Sequence, residues 1–247
     1  MTILKRKYQA KKNIKIKKII KTSLIDWEGM IVSTLYVGGC NFRCPFCYNI
    51  ALVERPQDLA AISKKDLLLL LEKQKPFLDG ICLSGGEPTL YEDLPEFLKT
   101  IKDRQLKIKL DTNGSYPEML EDLLKEDLVD YIAMDIKNCL CPDEYRKAIG
   151  VNYKNIIEKI KKSLQLIMNA GIEYEFRTTV IPELHSSNTI VDIAREIKGA
   201  QRYVLQKFIQ SEDMLDQSLK NTIPYSEEKI QEMKKKIERY VQKSKIR

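Results

Sequence analysis

The sequence predicts an α/β fold, a partial, three-quarter (βα)6 barrel with a short N-terminal hairpin lid and a C-terminal helix. Three observations predict it. Short apolar runs of strand length alternate with helix-length segments six times, which gives a parallel sheet with right-handed crossovers. The first four of these runs each end in a glycine-rich or acidic cluster, at the edge where barrel folds carry their active sites. Six units are also fewer than the eight of a closed barrel, so the sheet is expected to stay open.

The elements follow in order. Ile14 to Ile20 alternates apolar residues with lysine, the period-2 pattern of a half-exposed strand, and is read as a hairpin lid ahead of the main fold. Trp27 is read as a packing residue of that lid. Ile31 to Val37 is an apolar run ending at Gly38-Gly39, as a buried parallel strand would. Ser63 caps a helix through Lys73, with Asp66 placed for a capping box. Gly80 to Leu83 is a strand ending in Ser84-Gly85-Gly86-Glu87-Pro88, and Asp93 to Asp103 reads as a helix. Lys107 to Leu110 is a strand ending in Asp111-Thr112-Asn113-Gly114, followed by a helix over Pro117 to Lys125 with proline in its first turn. Val129 to Met134 ends in Asp135-Ile136-Lys137, and Tyr153 to Asn169 is a longer helix closed by Gly171. Ile172 to Val180 is a strand carrying Arg177, Ser187 to Lys198 a helix, Arg202 to Phe208 a strand and Ser226 to about Lys243 the closing helix.

Composition agrees with one enzyme-sized unit. The 247 residues are 43% hydrophobic, enough for a full core, and no stretch reaches the roughly 18 apolar residues of a membrane helix. The start of the chain is basic but lacks the apolar run of a signal peptide, so a cytoplasmic location with reduced cysteines is expected. The net charge of +7 is uneven: Met1 to Ile25 holds nine Lys and Arg and no acid, leaving 33 basic against 35 acidic side chains in the rest. Such an arm suits RNA or an acidic protein face, and equally a solvated tail leading into an edge strand. The organisation expected is one domain over 1–247: arm and lid over 1–30, six-strand core over 31–209 and terminal helix over 210–247.

The strongest chemical signal is Cys40-Asn41-Phe42-Arg43-Cys44-Pro45-Phe46-Cys47, three cysteines at C-x3-C-x2-C spacing with no fourth nearby. Thiolates suit zinc or iron–sulfur clusters. A structural zinc site takes four closed ligands, whereas three cysteines on a [4Fe–4S] cluster leave one iron for an external molecule. A disulfide would need an oxidising compartment, of which the sequence gives no sign. Cys82 lies in an apolar run and reads as core; Cys139 and Cys141 are a pair without further ligands. His185 is the only histidine and sits in a loop, where a surface role is expected.

The loop, with Phe46 as its aromatic, resembles the C-x3-C-x-aromatic-C motif of the radical S-adenosylmethionine (SAM) superfamily, and Gly85-Gly86-Glu87-Pro88 resembles that family's GGEP motif. The resemblance implies a TIM-like partial barrel of the radical SAM type. It also implies a [4Fe–4S] cluster on Cys40, Cys44 and Cys47 that reductively cleaves SAM to a 5′-deoxyadenosyl radical. SAM would lie against Gly85, Gly86 and Glu87, with Asp111, Asp135, Lys137 and Arg177 at its charged groups and Phe46 and Tyr48 near adenine. Gln206 is a further candidate at the end of the sixth strand. In related enzymes the acids corresponding to Asp111 and Asp135, with Thr112 and the backbone near Ala133, surround a small cation.

Within the superfamily, Thr22-Ser23-Leu24-Ile25-Asp26, Gly39-Cys40-Asn41-Phe42, Leu110 to Gly114, Ala133 to Lys137, Arg177-Thr178-Thr179-Val180 and Leu205-Gln206-Lys207-Phe208 are similar to the activating proteins of anaerobic ribonucleoside-triphosphate reductase. Trp27-Glu28-Gly29 departs from the usual Tyr-Pro-Gly, and Tyr48 stands where histidine is common. Ile50 to Ala61 contains no cysteine, so a single cluster is expected. The partner implied is a glycyl-radical enzyme, with flavodoxin or ferredoxin as electron donor and no membrane. A radical SAM enzyme acting on a small molecule or tRNA would share every one of these residues.

Overall fold

The computed structural model describes residues 13–211 and 213–247; most of the basic arm's first half therefore lies outside the described residues. The core is a set of parallel strands, β2 (Val32–Val37), β3 (Gly80–Gly85), β4 (Lys107–Thr112), β5 (Tyr131–Asp135), β6 (Glu173–Val180) and β7 (Tyr203–Lys207). They pair strictly in chain order. The sheet is open, with β1 (Ile16–Ser23) antiparallel at one edge and β8 (Ser244–Ile246) parallel at the other.

Helices follow the strands: α1 (Ile50–Val53), α2 (Lys64–Gln74), α3 (Leu94–Lys102), α4 (Pro117–Lys125), α5 (Pro142–Ile149), α6 (Ile156–Met168), α7 (Ser187–Glu196) and α8 (Glu227–Ile237). Their limits have local causes. The Ser63 side chain accepts the Asp66 N–H at the start of α2, and Ser226 does the same for Lys229 at α8. Gly150, with φ +66°, ends α5 in the left-handed conformation. Asn155 takes φ +55°, so α6 begins at Ile156 and not at Tyr153.

Alternation along each strand sorts side chains into two layers. Ile81, Leu83, Ile108, Leu110, Ile132, Met134, Phe176 and Leu205 face the helices and form the main core. The opposite face turns inward, where Trp27, Val32, Cys82, Tyr131 and Ala133 make a second, small cluster. Cys82 is thus fully buried packing, as expected.

Three expectations are refined. The N-terminal hairpin is β1 with β2, so it extends the main sheet; the loop between them carries Asp26 and Trp27 into the interior. Asp93 accepts the Ile14 N–H at 2.9 Å and so ties this edge down. The closing helix stops at Ile237, and the chain returns as β8 beside β7, because the last residues find a free sheet edge there. Helix α5 was not foreseen, since it is short and its buried positions are only Tyr145, Ala148 and Ile149.

Candidate active site

One cavity of about 280 Å3 opens at the C-terminal ends of the strands. Cys40, Cys44, Phe46, Cys47, Tyr48, Gly85, Gly86, Glu87, Asp111, Asp135, Lys137, Arg177 and Gln206 all line it, as does Thr112. Residues far apart in sequence meet there because each strand delivers its last inward positions to the same rim.

The cysteine loop is held from several sides. Glu87 N–H donates to the Gly39 carbonyl at 2.9 Å and Gly86 N–H to the Val37 carbonyl at 3.0 Å. A Cβ on Gly86 would stand 1.9 Å from the Gly39 oxygen, so only glycine lets these two loops stack backbone on backbone. Arg43 donates through its guanidinium to the Cys40 and Phe42 carbonyls at 3.0 and 2.9 Å. Its own N–H donates to Ile149, beside Gly150. From the segment before α8, Leu215 and Asp216 N–H groups donate to the Cys47 and Pro45 carbonyls at 3.1 and 2.8 Å. Asn41 joins the loop to Ser115 and Asn113 at 2.9 and 3.0 Å.

All three thiols are free. Burial pushes Cys40 up to about 11 and Cys44 up to about 12, and raises Cys47. Buried thiols of this kind deprotonate when a cation binds them. Phe42 N–H and the Asn113 amide approach the Cys40 sulfur at 3.4 and 3.9 Å, the kind of contact that supports a ligating thiolate. Among the described residues no three His, Cys, Asp or Glu side chains gather as ligands of a single metal ion. Three soft donors along one cavity wall fit an iron–sulfur cluster, which spans more space than one ion.

Glu87 is fully buried. It accepts from Thr89 at 3.0 Å, Thr112 at 2.8 Å and the Asn113 N–H at 2.7 Å, so it binds the GGEP loop to the Asp111–Gly114 loop. Burial raises its carboxyl, and these donors hold the rise in check.

Beside the cysteine loop lies a charged group drawn from the ends of three strands, β4, β5 and β6. Arg177 Nε donates to Asp135 at 2.8 Å and its Nη1 lies 3.3 Å from Asp111. Lys137 Nζ reaches the other Asp135 oxygen at 3.0 Å and lies over the Phe46 ring, 5.8 Å from its centroid. Burial alone would raise the Asp135 carboxyl, but Arg177 and Lys137 hold it well below the carboxylate range. Asp111 is lowered in the same way: burial opposes ionisation, and Arg177 and Lys109 outweigh it. For Lys137 burial works against the charge and Asp135 more than restores it. Asp111 Oδ1 is buried with no hydrogen bond, facing only the Lys109 ammonium at 3.4 Å. It is a spare acceptor for a ligand donor.

Sequence reasoning gave no site role to Lys109, Ser84, Asn113, Asp26 or Thr179, although the last four lie within or beside its motifs. Lys109 is 3% exposed, and donates to the Asp26 carbonyl under the Asp111 pair. The period of Lys107-Ile108-Lys109-Leu110-Asp111 held the signal: Lys109 shares the inward face with Asp111. Ser84 donates to Asp111 at 3.1 Å. Lys109, Lys137 and Arg177 thus pair with Asp111 and Asp135 in one network at this end of the strands.

His185 departs from its expected surface role. It is 1% exposed and bonded at both ring nitrogens, because the β6–α7 loop folds inward over β5. Cys139 and Cys141 stand outside the cavity lining, one buried and one exposed.

The family model that matches residues 34–206 is described as "Radical SAM superfamily". The chain belongs to this superfamily. A relative from Methanocaldococcus jannaschii, named "Putative glycyl-radical enzyme activating enzyme", is 31% identical over 237 residues, which span 93% of this chain and 94% of the relative. A "Probable GTP 3',8-cyclase" from Methanococcus maripaludis is 28% identical over 76% of this chain and 62% of its own length. Among solved structures, SuiB of Streptococcus suis bound to S-adenosylmethionine superposes with a TM-score of 0.66 at 17% identity, over 84% of this chain. The chain spans about half that structure's length, 48%, and the likeness is one of fold. The superfamily implies a [4Fe–4S] cluster and SAM, which the three free thiols and the unbonded Asp111 oxygen fit.

Proposed function

We propose that this chain, acting as one radical SAM domain over 1–247, is a glycyl-radical enzyme activating enzyme. The observation that carries the reading is the match to the Methanocaldococcus jannaschii relative of that name, over 93% of this chain and 94% of the relative. Bound here, a cluster and SAM supply hydrogen-atom abstraction by a 5′-deoxyadenosyl radical. Everything else falls to the chain. Cys40, Cys44 and Cys47 would hold the cluster. Gly85 and Gly86 let backbone groups approach the SAM ammonium, and Glu87 fixes their loop. Lys137 and Arg177 would meet the SAM carboxylate, Asp135 orients both, and Asp111 Oδ1 and Gln206 would offer acceptors. Phe46 and Tyr48 would flank the adenine. Tyr48 is 48% exposed, so it also meets whatever enters the mouth.

The substrate in this reading is a glycine Cα on a partner protein, an anaerobic ribonucleoside-triphosphate reductase first, with flavodoxin or ferredoxin as electron donor. A cytoplasmic, anaerobic setting goes with it; among the described residues no helix is long and apolar enough to cross a membrane. The test is anaerobic mixing of reconstituted protein with SAM, a reductant and the reductase. A glycine-centred doublet in electron paramagnetic resonance on the partner supports the reading. SAM cleavage with no such doublet sinks it.

A second reading, a radical SAM enzyme acting on a nucleotide or tRNA, is favoured by the cyclase relative. Turnover of GTP or tRNA without any protein partner would decide for it.

A further inference from the structure

The geometry points to His185 as a positioning residue for Lys137, through a hydrogen bond to the Lys137 carbonyl that fixes where the ammonium meets SAM. This rests on the reading of Lys137 as a SAM contact.

The ladder of β5 and β6 ends just short of Lys137. The last bond runs from Ile136 N–H to the Arg177 carbonyl at 2.8 Å. Beyond it the backbone must be held by side chains. Thr178 donates to the Ile136 carbonyl at 2.9 Å, and the buried Asn138 donates to the Leu184 and Glu144 carbonyls at 3.2 and 3.3 Å. Between them stands the Lys137 carbonyl, 2.9 Å from His185 Nε2.

The ring's other nitrogen fixes its state. Ile181 N–H donates to Nδ1 at 3.1 Å, so Nδ1 must carry a lone pair and Nε2 the proton. The imidazole is therefore a neutral two-ended bracket between the backbone of the β6–α7 loop and that of the Asp135–Lys137 segment. Burial agrees, holding its pKa down at about 4. The bracket is itself anchored: Tyr225 donates to the His185 carbonyl at 2.9 Å. Lys137 then has its backbone fixed by His185 and its ammonium by Asp135 and Phe46. A side chain this long needs a fixed root if its ammonium is to present one geometry to a ligand.

The two ends of the ring separate positioning from folding. His185→Gln can keep a donor near the Lys137 carbonyl, and His185→Asn can keep an acceptor near the Ile181 N–H. SAM affinity is measured by titration on the reconstituted holoprotein, with iron per chain and melting temperature alongside. His185→Asn should bind SAM about five- to tenfold more weakly, the worth of one hydrogen bond, with its iron content unchanged. His185→Gln should stay within about twofold of the parent. In a Lys137→Ala background, His185→Asn should add nothing, because its effect runs through Lys137. Equal affinity losses in the two variants, or an additive loss on top of Lys137→Ala, would overturn the positioning role while leaving the SAM site intact. An unchanged affinity in Lys137→Ala alone would overturn the site reading and this inference with it. Melting temperatures tell a folding defect from a shifted ligand, since both variants should melt below the parent.

Discussion

β5 places Tyr131 toward the base of the barrel interior and Asp135 at its mouth; β6 does the same with Glu175 and Arg177. At the base, Glu175 is 1% exposed and each of its oxygens takes one Arg247 nitrogen, at 3.0 and 3.3 Å. Arg202 lies 3.8 Å from Glu175 and donates to the Tyr131 hydroxyl at 2.9 Å. Glu28, from the β1–β2 loop, pairs with Lys245 on β8, so the two edges of the open sheet are tied across the gap. At the mouth, the carboxylates and cations pair with each other yet still line a cavity. The same alternation thus makes a closed polar plug at one end and an open, charged cavity at the other. The difference is what covers them: the C-terminal residues and the β1–β2 loop at the base, the cysteine loop and its neighbours at the mouth.

Predictions test that division, from the largest effect down. Cys44→Ala should abolish cluster binding after anaerobic reconstitution, measured as iron per chain, whereas Cys141→Ala should leave it unchanged. Equal iron loss from both would break the assignment of the cluster to the mouth.

Glu175→Ala removes the buried acid of the base and leaves Arg247 without its carboxylate, while Arg202 keeps Tyr131 and Glu28. It should cost about 3 kcal/mol in denaturant unfolding, in the range for breaking a buried pair, without weakening SAM binding to the folded fraction. A matching fall in SAM affinity would mean that plug and site are one unit.

His185 sharpens the view of the mouth from behind. Its folded pKa of about 4 lies below the ordinary 6.5. As pH falls from 6.5 toward 4, the unfolded chain takes up a proton that the folded one refuses, so stability drops. The loss should be on the order of 2–3 kcal/mol and should flatten in His185→Gln. No other histidine titrates in that window. Parallel pH–stability curves for the two proteins would contradict the buried neutral ring.

Lys137→Ala should keep its cluster and lose SAM affinity by about 1.5–3 kcal/mol, as for a hydrogen bond to a charged group, read by calorimetric titration. Asp135 keeps Arg177, so the melting point should move little. Smallest of all, Glu28→Ala should change stability by less than about 1 kcal/mol, because the Glu28–Lys245 pair is half exposed. A larger loss would show that tying the sheet edges together is a major source of stability.

Much of this was readable from the sequence alone. The six strands and most helices follow from local periodicity and from caps such as Ser63 and Ser226, and each signal sits within a few residues of the element it sets. The residues that line the mouth were readable for the same reason: each cluster follows its strand directly, so placing the strands in parallel order was enough to bring Cys40, Gly86, Asp111 and Lys137 to one cavity. What only the tertiary structure decided involves partners far apart in the chain. Glu175 looks like any surface acid until Arg247 folds against it, and β8 exists only because β7 leaves an edge unpaired. Lys109 is buried only because Asp26 and Asp111 meet it there. His185 reads as a loop residue by composition. Its burial comes from the β6–α7 loop packing over β5, and its role from a carbonyl 48 positions away. Local propensity carries no record of such contacts, because their free energy arises only when the distant groups are brought out of water together.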